Sequence, residues 1–413
     1  MLAAQDRLPT AANNEFMAVT AEAHPSSPLI RRNRSRRLSR IWKYLHRYPE
    51  PSMREFKTSD FLETIMKEAG LQPQRFKEFP GFFVDIGTGQ PTIGLRADMD
   101  ALIQDVDGVP TAVHSCGHDA NMAIVATVML ELAEMDNSSC PAVRAIFQPS
   151  EEAGNGAELV AGLGVADNLD YLFGVHLRPG EELPSPGLAP AIAHGACLFV
   201  RGSIHGEDHH GARPHQGVNA IDVACEISQA LYRMKIDPQT PSSAKMTVLR
   251  AGGAMNVIPG SAQFGIDLRA QTNEAMEALK QELVSLCGHI TSMRMVTIDL
   301  DFEDSVPAAV IGPVAERVLT ASIQSQCGGE ALMPRIVTSG SDDFHFYSVR
   351  NRRLQAAMLG VGADVFPGLH HPDMKFEFAA MGRAVGVLVD ACMHVPESSA
   401  TLHDTVAGTE SGT

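Results

Sequence analysis

The chain has 413 residues, 44% of them hydrophobic and 20% charged. That is the make-up of a soluble globular protein, too long for one ordinary core, so two domains are expected. Acidic residues outnumber basic ones by 49 to 33, a net charge of −16, which argues against a general nucleic-acid or membrane-surface binder. The seven cysteines, at positions 116, 140, 197, 225, 287, 327 and 392, form no CxxC pair. An odd, scattered set suits a reducing cytosol better than a disulfide framework. We find no apolar run of about 18 residues and no basic cluster followed by an apolar h-region. A cytoplasmic protein without a membrane helix or secretory signal is expected.

The first 35 residues, polar and carrying Pro25 and Pro28, read as a flexible tail. RRNRSRRLSR, residues 31–40, reads either as a nucleic-acid or targeting patch or as the solvated start of a helix. Leu38, Ile41, Trp42 and Leu45 follow at helical spacing and favour the helix. A second helix is predicted over 58–69, capped near Thr58 or Ser59 and closed by Gly70. Three short apolar segments then end in polar groups. TIGLRADMD reaches Asp98 and Asp100, VRAIFQPSEE reaches Glu151 and Glu152, and YLFGVHLRP ends near His176. With a helix over 119–134 between them, the alternation indicates an α/β fold whose mostly parallel sheet carries its site at the carboxyl ends of strands.

From 191 to 304 the pattern changes to β-α-β-β-α-β, the ferredoxin-like order, long enough to be an inserted α+β domain. A helix near 313–326, a strand at 354–362 and a helix near 377–393 then resume the α/β pattern, before a polar, frayed end over 400–413. The expected division is a tail over 1–35, a metal-binding catalytic domain over 36–190 plus 305–400, and an insertion over 191–304.

HSCGHDA, beginning at His114, places Cys116, His118 and Asp119 within four positions directly ahead of a helix. A disulfide, a buried structural cysteine, a nucleophile or a metal site each fits that segment alone. Asp119 suits a helix start, where a carboxylate is favourable against the macrodipole. A dinuclear metal site needs several ligands from separate elements with a carboxylate base beside them. The candidates are Cys116, His118, Glu151, Glu152, His176 and the His370-His371 pair of LHHPDMKF. They share one α/β layer at strand ends or in glycine-bounded loops.

RADMDAL, HSCGHDA, FQPSEEAGNGA, GVHLRP and LHHPDMKF stand in the order and rough spacing of the M20 metallopeptidases. The chain most resembles their amidohydrolase branch of aminoacylases, hippurate hydrolases and auxin-conjugate hydrolases. GEDHHGARPH, AMNVIPG and DLRA in the insertion and SGSDDF after it extend the resemblance over about residues 40–395. It implies two divalent metal ions, zinc or manganese with cobalt or nickel as alternatives. Their ligands would be Cys116, His118, Glu152, His176 and His370, with Cys116 a bridging thiolate. Glu151 would be the general base, and Asp100 the carboxylate that orients a ligand imidazole.

In the insertion, which would be a lid and a homodimerisation domain, the resemblance makes His210 the oxyanion-stabilising group, with His209 or His205 as alternatives. Asn256 and Arg269 would bind the substrate's carboxylate. The implied reaction is hydrolysis of an N-acyl amino acid. A dipeptidase or aminopeptidase on the same scaffold, or a non-catalytic ligand-binding relative, is the competing reading. The chain departs from the family pattern at Asn121, where histidine is usual, at Asp342, where glutamate is usual, and in a shorter segment between Asp100 and His114.

Overall fold

The structure is a computed structural model that describes residues 28–136, 139–234 and 236–396. The segment Tyr171–Pro179 is buried over eight successive residues and Ile93–Asp98 over all six. Such runs form strands covered on both faces. They lie at the centre of a seven-stranded sheet. Val143–Gln148, Ile93–Asp98, Tyr171–Pro179 and Gln355–Val365 run parallel in that order, with antiparallel strands outside them.

Alternate side chains divide the core into two layers. Ala145, Phe147, Phe173 and Leu359 join the cluster under helices Pro28–Arg47, His118–Ala133, Pro313–Cys327 and Ala379–Met393. Ile146, Leu172 and Met358 point the other way, to Phe344, Tyr347 and helix Gly156–Gly162. The result is helix on both faces of a buried sheet.

The N-terminal helix begins at Pro28, inside the segment that the sequence reading assigned to a tail. Residues 1–27 and 397–413 lie outside the described residues. Leu38, Ile41 and Leu45 are buried, and Trp42 meets the edges of Phe376 and Phe378. Three arginines of this helix face acidic side chains of its neighbours. Arg34 grips Glu131 through two 2.7 Å bonds, Arg37 pairs with Glu134, and Arg40 lies 3.7 Å from Glu68. The second helix runs from Phe56 to Glu68, earlier than expected. Thr58 is no cap: the Glu50 carboxylate takes its N–H and hydroxyl at 2.8 and 3.0 Å, while the Ser59 hydroxyl donates to the Glu55 carbonyl.

The insertion shows the β-α-β-β-α-β order in an all-antiparallel sheet, with Ala262–Ala270 and Ala196–His205 inside and Ser242–Ala251 and Thr297–Val306 at the edges. Helices Ala220–Leu231 and Asn273–Arg294 bury Val223, Ile227, Leu279 and Leu283 against Leu198, Val200 and Phe264 in a core of their own. Asn219 and Thr272 cap them, accepting backbone N–H groups at 3.1 Å. Gly202 sits opposite Phe264, whose ring atoms would lie 2.0 Å from an added Cβ. Gly202→Ala is therefore expected to destabilise this unit by about 1–3 kcal/mol, read as a lowered denaturation midpoint with the slope unchanged.

Candidate metal centre

Gly117, at φ 88°, adopts the left-handed conformation immediately before helix His118–Ala133. The turn sets Cys116 and His118 on one side of the sheet's carboxyl edge. His118 Nδ1 donates to the Asp100 carbonyl at 2.9 Å, so in the neutral ring Nε2 is the lone-pair nitrogen. That atom is buried with no hydrogen-bond partner, 3.8 Å from Asp98, 3.7 Å from Glu151 and 3.8 Å from Glu152. His176 is set the same way. Its Nδ1 donates to the Leu177 carbonyl at 2.7 Å, and its Nε2 stands 3.5 Å from Cys116 Sγ.

The Asp100 carboxylate does something the sequence reading did not anticipate. It accepts the backbone N–H groups of Glu151 and Glu152 at 3.0 and 2.9 Å and the Ser52 hydroxyl at 2.6 Å. Its nearer oxygen is 3.4 Å from His118 Nδ1. The imidazole is thus held mainly by the residue's carbonyl, and the carboxylate anchors the Glu151-Glu152 backbone. Gly156 closes the same loop, since an added Cβ would lie 1.7 Å from the Pro149 carbonyl oxygen.

Ligand atoms converge to within 4.8 Å in the sets Cys116–His118–His176, Cys116–Glu152–His370 and His118–Glu151–Glu152. His370 is held at φ 66°, its N–H on the Ser115 carbonyl at 2.6 Å and its own carbonyl accepting from Gln104. His370 Nε2 lies 3.6 Å from Glu152, whereas His371 turns its Nδ1 to the Asp373 N–H. Gln104 belongs to a hairpin, Leu102–Val106 with Val109–Val113, that we did not read from the sequence. The Asp107-Gly108 turn, with both residues at positive φ, was its signal.

The charges around these atoms call for a cation. Burial opposes a charge on His118, yet Asp98, Cys116 and Asp100 outweigh it and raise the imidazole well above its ordinary value. Burial, followed by Asp342 and Glu152, pushes Glu151 well up, and burial with Glu152 does the same to the Cys116 thiol. Burial drives His176 down to about 4, so its Nε2 is a neutral donor. Orphaned lone pairs on His118 Nε2 and Glu152 Oε1, with a thiol and imidazoles beside them, are the chemistry of a borderline divalent metal.

Behind this cluster lies a buried polar layer that the motifs did not reveal. Arg96 donates to Gln148 at 2.8 Å, Asp98 at 2.5 Å and Asp343 at 2.6 Å. Asn121, at the position where histidine is usual, donates to the other Asp98 oxygen at 2.9 Å. Asp98, His176 and Asp342 form a further convergent set. Strand alternation was the available signal, since Arg96, Asp98 and Asp100 share a parity in RADMD. Asp119 anchors the N-terminal helix by a 2.7 Å contact with His46.

The insertion's expected site residues lie apart from the cluster. His210 and Asn256 are exposed neighbours on a short two-stranded ladder, where the Gly211 N–H donates to the Asn256 carbonyl at 2.8 Å. His210 Nδ1 accepts the Ala212 N–H at 3.1 Å, leaving Nε2 outward. His205 faces Asp299 at 3.1 Å. Arg269 reaches the catalytic part, donating to Ser341 at 3.2 Å while Asp267 holds its Nε at 2.7 Å.

Residues 94–394 match the model of peptidase family M20/M25/M40. The chain belongs to that family. It is 28% identical to the N-acetyl-L-cysteine deacetylase of Bacillus subtilis (strain 168) over 403 residues, covering 94% of each chain. It is 28% identical to IAA-amino acid hydrolase ILR1-like 4 of Arabidopsis thaliana over 322 residues, 74% of this chain and 73% of the relative. Its fold is that of the Bacillus subtilis YXEP protein, a dinuclear metal binding peptidase of family M20. The TM-score is 0.75 at 21% identity, over 88% of this chain and 98% of the other. The enzyme is a metal-dependent amide hydrolase. Among the described residues no helix is long and apolar enough to cross a membrane.

Glu55 lies under the Glu151 loop, accepting the Ser150 N–H at 2.8 Å. Burial, with the Asp100 charge second, pushes its carboxyl from 4.5 up to about 8. The folded state then holds a proton that the unfolded chain releases, so stability falls as pH rises from 4.5 to about 8. Glu55→Gln is expected to melt a few degrees above the native protein at pH 8, with the gap closing by pH 5. Thermal scans at both pH values check this.

Proposed function

We propose that the enzyme cleaves N-acyl amino acids, releasing a carboxylate and a free amino acid. The observation that carries this reading is the convergence of Cys116, His118, Glu152, His176 and His370 beside Glu151. The deacetylase and amino-acid-conjugate hydrolase among its relatives support the substrate class. In this reading those five residues would hold two divalent ions, Cys116 as a thiolate. Zinc or manganese suits thiolate, imidazole and carboxylate donors, and cobalt or nickel would also be accepted. The chemistry such ions supply is polarisation of the scissile carbonyl and acidification of water.

Glu151 takes the proton from the attacking water and passes it to the nitrogen of the leaving amine. Asp100 positions Glu151 and Glu152 together through their backbone N–H groups, so base and ligand are set by one anchor. His210 stabilises the developing oxyanion, and Asn256 and Arg269 bind the substrate's carboxylate. His210 stands outward on the insertion, so it reaches a site by lid closure or from a second copy in a homodimer formed through the lid. The working environment is cytoplasmic.

The test is a panel of N-acetyl, N-benzoyl and indole-acetyl amino acids beside matched dipeptides, using stripped protein with Zn²⁺, Mn²⁺ or Co²⁺ restored. Metal-dependent release from the acylated compounds is the expected result; cleavage of dipeptides alone would replace this reading with a peptidase. Glu151→Gln should keep its metal content and lose about 10²–10⁴ in kcat. Cys116→Ala should fail to retain two ions per chain by elemental analysis; full retention would remove Cys116 from the ligand set.

A further inference from the structure

Two of the three buried histidines outside the metal-ligand set lie side by side, and the third, His114, stands next to Ser115 in the metal-ligand loop. We propose that His194 and His345 form a subsite that recognises an uncharged hydrogen-bonding side chain on the amino-acid part of the substrate. This rests on the N-acyl amino acid reading above.

His194 is 2% exposed and His345 0%, with ring centroids 5.2 Å apart. Neither ring nitrogen of His194 has a hydrogen-bond partner among the described residues, nor does His345 Nε2. His345 Nδ1 meets the Ser348 hydroxyl at 3.1 Å. Buried polar atoms are nearly always paired. Three orphaned ring nitrogens in one place mark a site with a use beyond packing.

Their position says what that use is. His194 ends the strand Ile192–His194, which pairs with Ile336–Thr338 where the chain leaves for the insertion. Its carbonyl accepts the N–H of Ala309, where the chain returns, at 3.0 Å. His345 follows Asp342 by three residues. Asp342 converges with Asp98 and His176 at the metal centre, and the neighbouring Ser341 accepts from Arg269. A substrate with its amide at the metal ligands and its carboxylate at Arg269 spans the Ser341–Asp342 stretch. Its α-carbon then lies at the seam that the two imidazoles occupy.

The chemistry narrows the class. Burial keeps both rings neutral, pushing each below its ordinary value, so His194 offers one donor and one acceptor and His345 offers its Nε2 alone, its Nδ1 being taken by Ser348. The charges of Asp342 and Arg96 act on both rings, and that of Arg178 on His194. A carboxylate side chain would meet the Asp342 charge. An aliphatic one would leave the nitrogens unpaired. A carboxamide or hydroxyl satisfies them.

The experiment compares kcat/KM for N-acetylglutamine against N-acetylmethionine, and N-acetylthreonine against N-acetylvaline. It uses the metal-loaded native enzyme, His194→Leu, His345→Phe and the conservative His194→Asn. The native enzyme should favour the polar member by about tenfold or more. His194→Leu and His345→Phe should bring the ratio toward one, chiefly through KM of the polar substrate, and should melt at or above the native temperature. His194→Asn should recover part of the preference. No polar preference in the native enzyme, or an unchanged ratio in folded, metal-loaded variants, overturns the proposal.

Melting shifts with N-acetylglutamine and N-acetylmethionine are read alongside. If nothing is hydrolysed, the function reading fails. A larger shift with the glutamine compound, lost in His194→Leu, then still supports the subsite, and equal shifts overturn it.

Discussion

Arg96 sits at the centre of the sheet with its guanidinium withdrawn from water, and each of its three nitrogens donates to a partner. Gln148 comes from the neighbouring strand, Asp98 from its own strand end, and Asp343 from the turn that follows the insertion. Gln148 in turn donates to both Asp343 oxygens at 2.9 Å and accepts from Tyr347, and Asp343 takes the Ala157 N–H. A charge in so dry a place is tolerated only when fully paired, and removal of one partner typically costs about 3–5 kcal/mol. This network therefore fixes three pieces of chain that no apolar contact could register: the Asp98 strand end, the loop after Glu152 and the Asp342–His345 turn. Each carries groups that face the metal centre.

Upon that frame the site is built with backbone groups as much as with side chains. The Asp100 carbonyl and the Leu177 carbonyl each fix one imidazole tautomer, so both Nε2 atoms face inward without relying on a flexible partner. The Asp100 carboxylate holds two consecutive N–H groups. Geometry held this way changes little with side-chain motion, which suits a centre where misplacement by an ångström is costly.

Much of this was legible in the sequence. The near-continuous apolar segments at 92–100 and 171–179 announced buried parallel strands, and the strand-like and helical stretches of 191–304 announced the order of the insertion. Cys116, His118, Glu151, Glu152, His176 and the His370-His371 pair were candidates because donor residues ended segments or sat in glycine-bounded loops of one layer, and the choice of five ligands among them came from the family resemblance. What stayed hidden has common physical causes. Thr58 looked like a cap until Glu50, eight residues earlier, captured its N–H. The Pro28 start was masked by polar residues whose helix is stabilised by Glu131, Glu134 and Glu68 on other elements. The pairing of His194 with His345 depends on two strands brought together across the whole insertion, and no local pattern encodes it.

The crossings between the two units have a consequence for how the chain folds. The parallel partners Tyr171–Pro179 and Gln355–Val365 are separated in sequence by the entire insertion, and closing so long a loop costs conformational entropy before any sheet contact is made. The insertion has its own core, and its two ends are bonded to each other, the Ala309 N–H donating to the His194 carbonyl. Once folded, it presents its ends as if joined by a short connection, and most of the closure entropy has already been met by its own hydrophobic collapse. An insertion that collapsed first would therefore let the parallel strands pair across it as across a short connection.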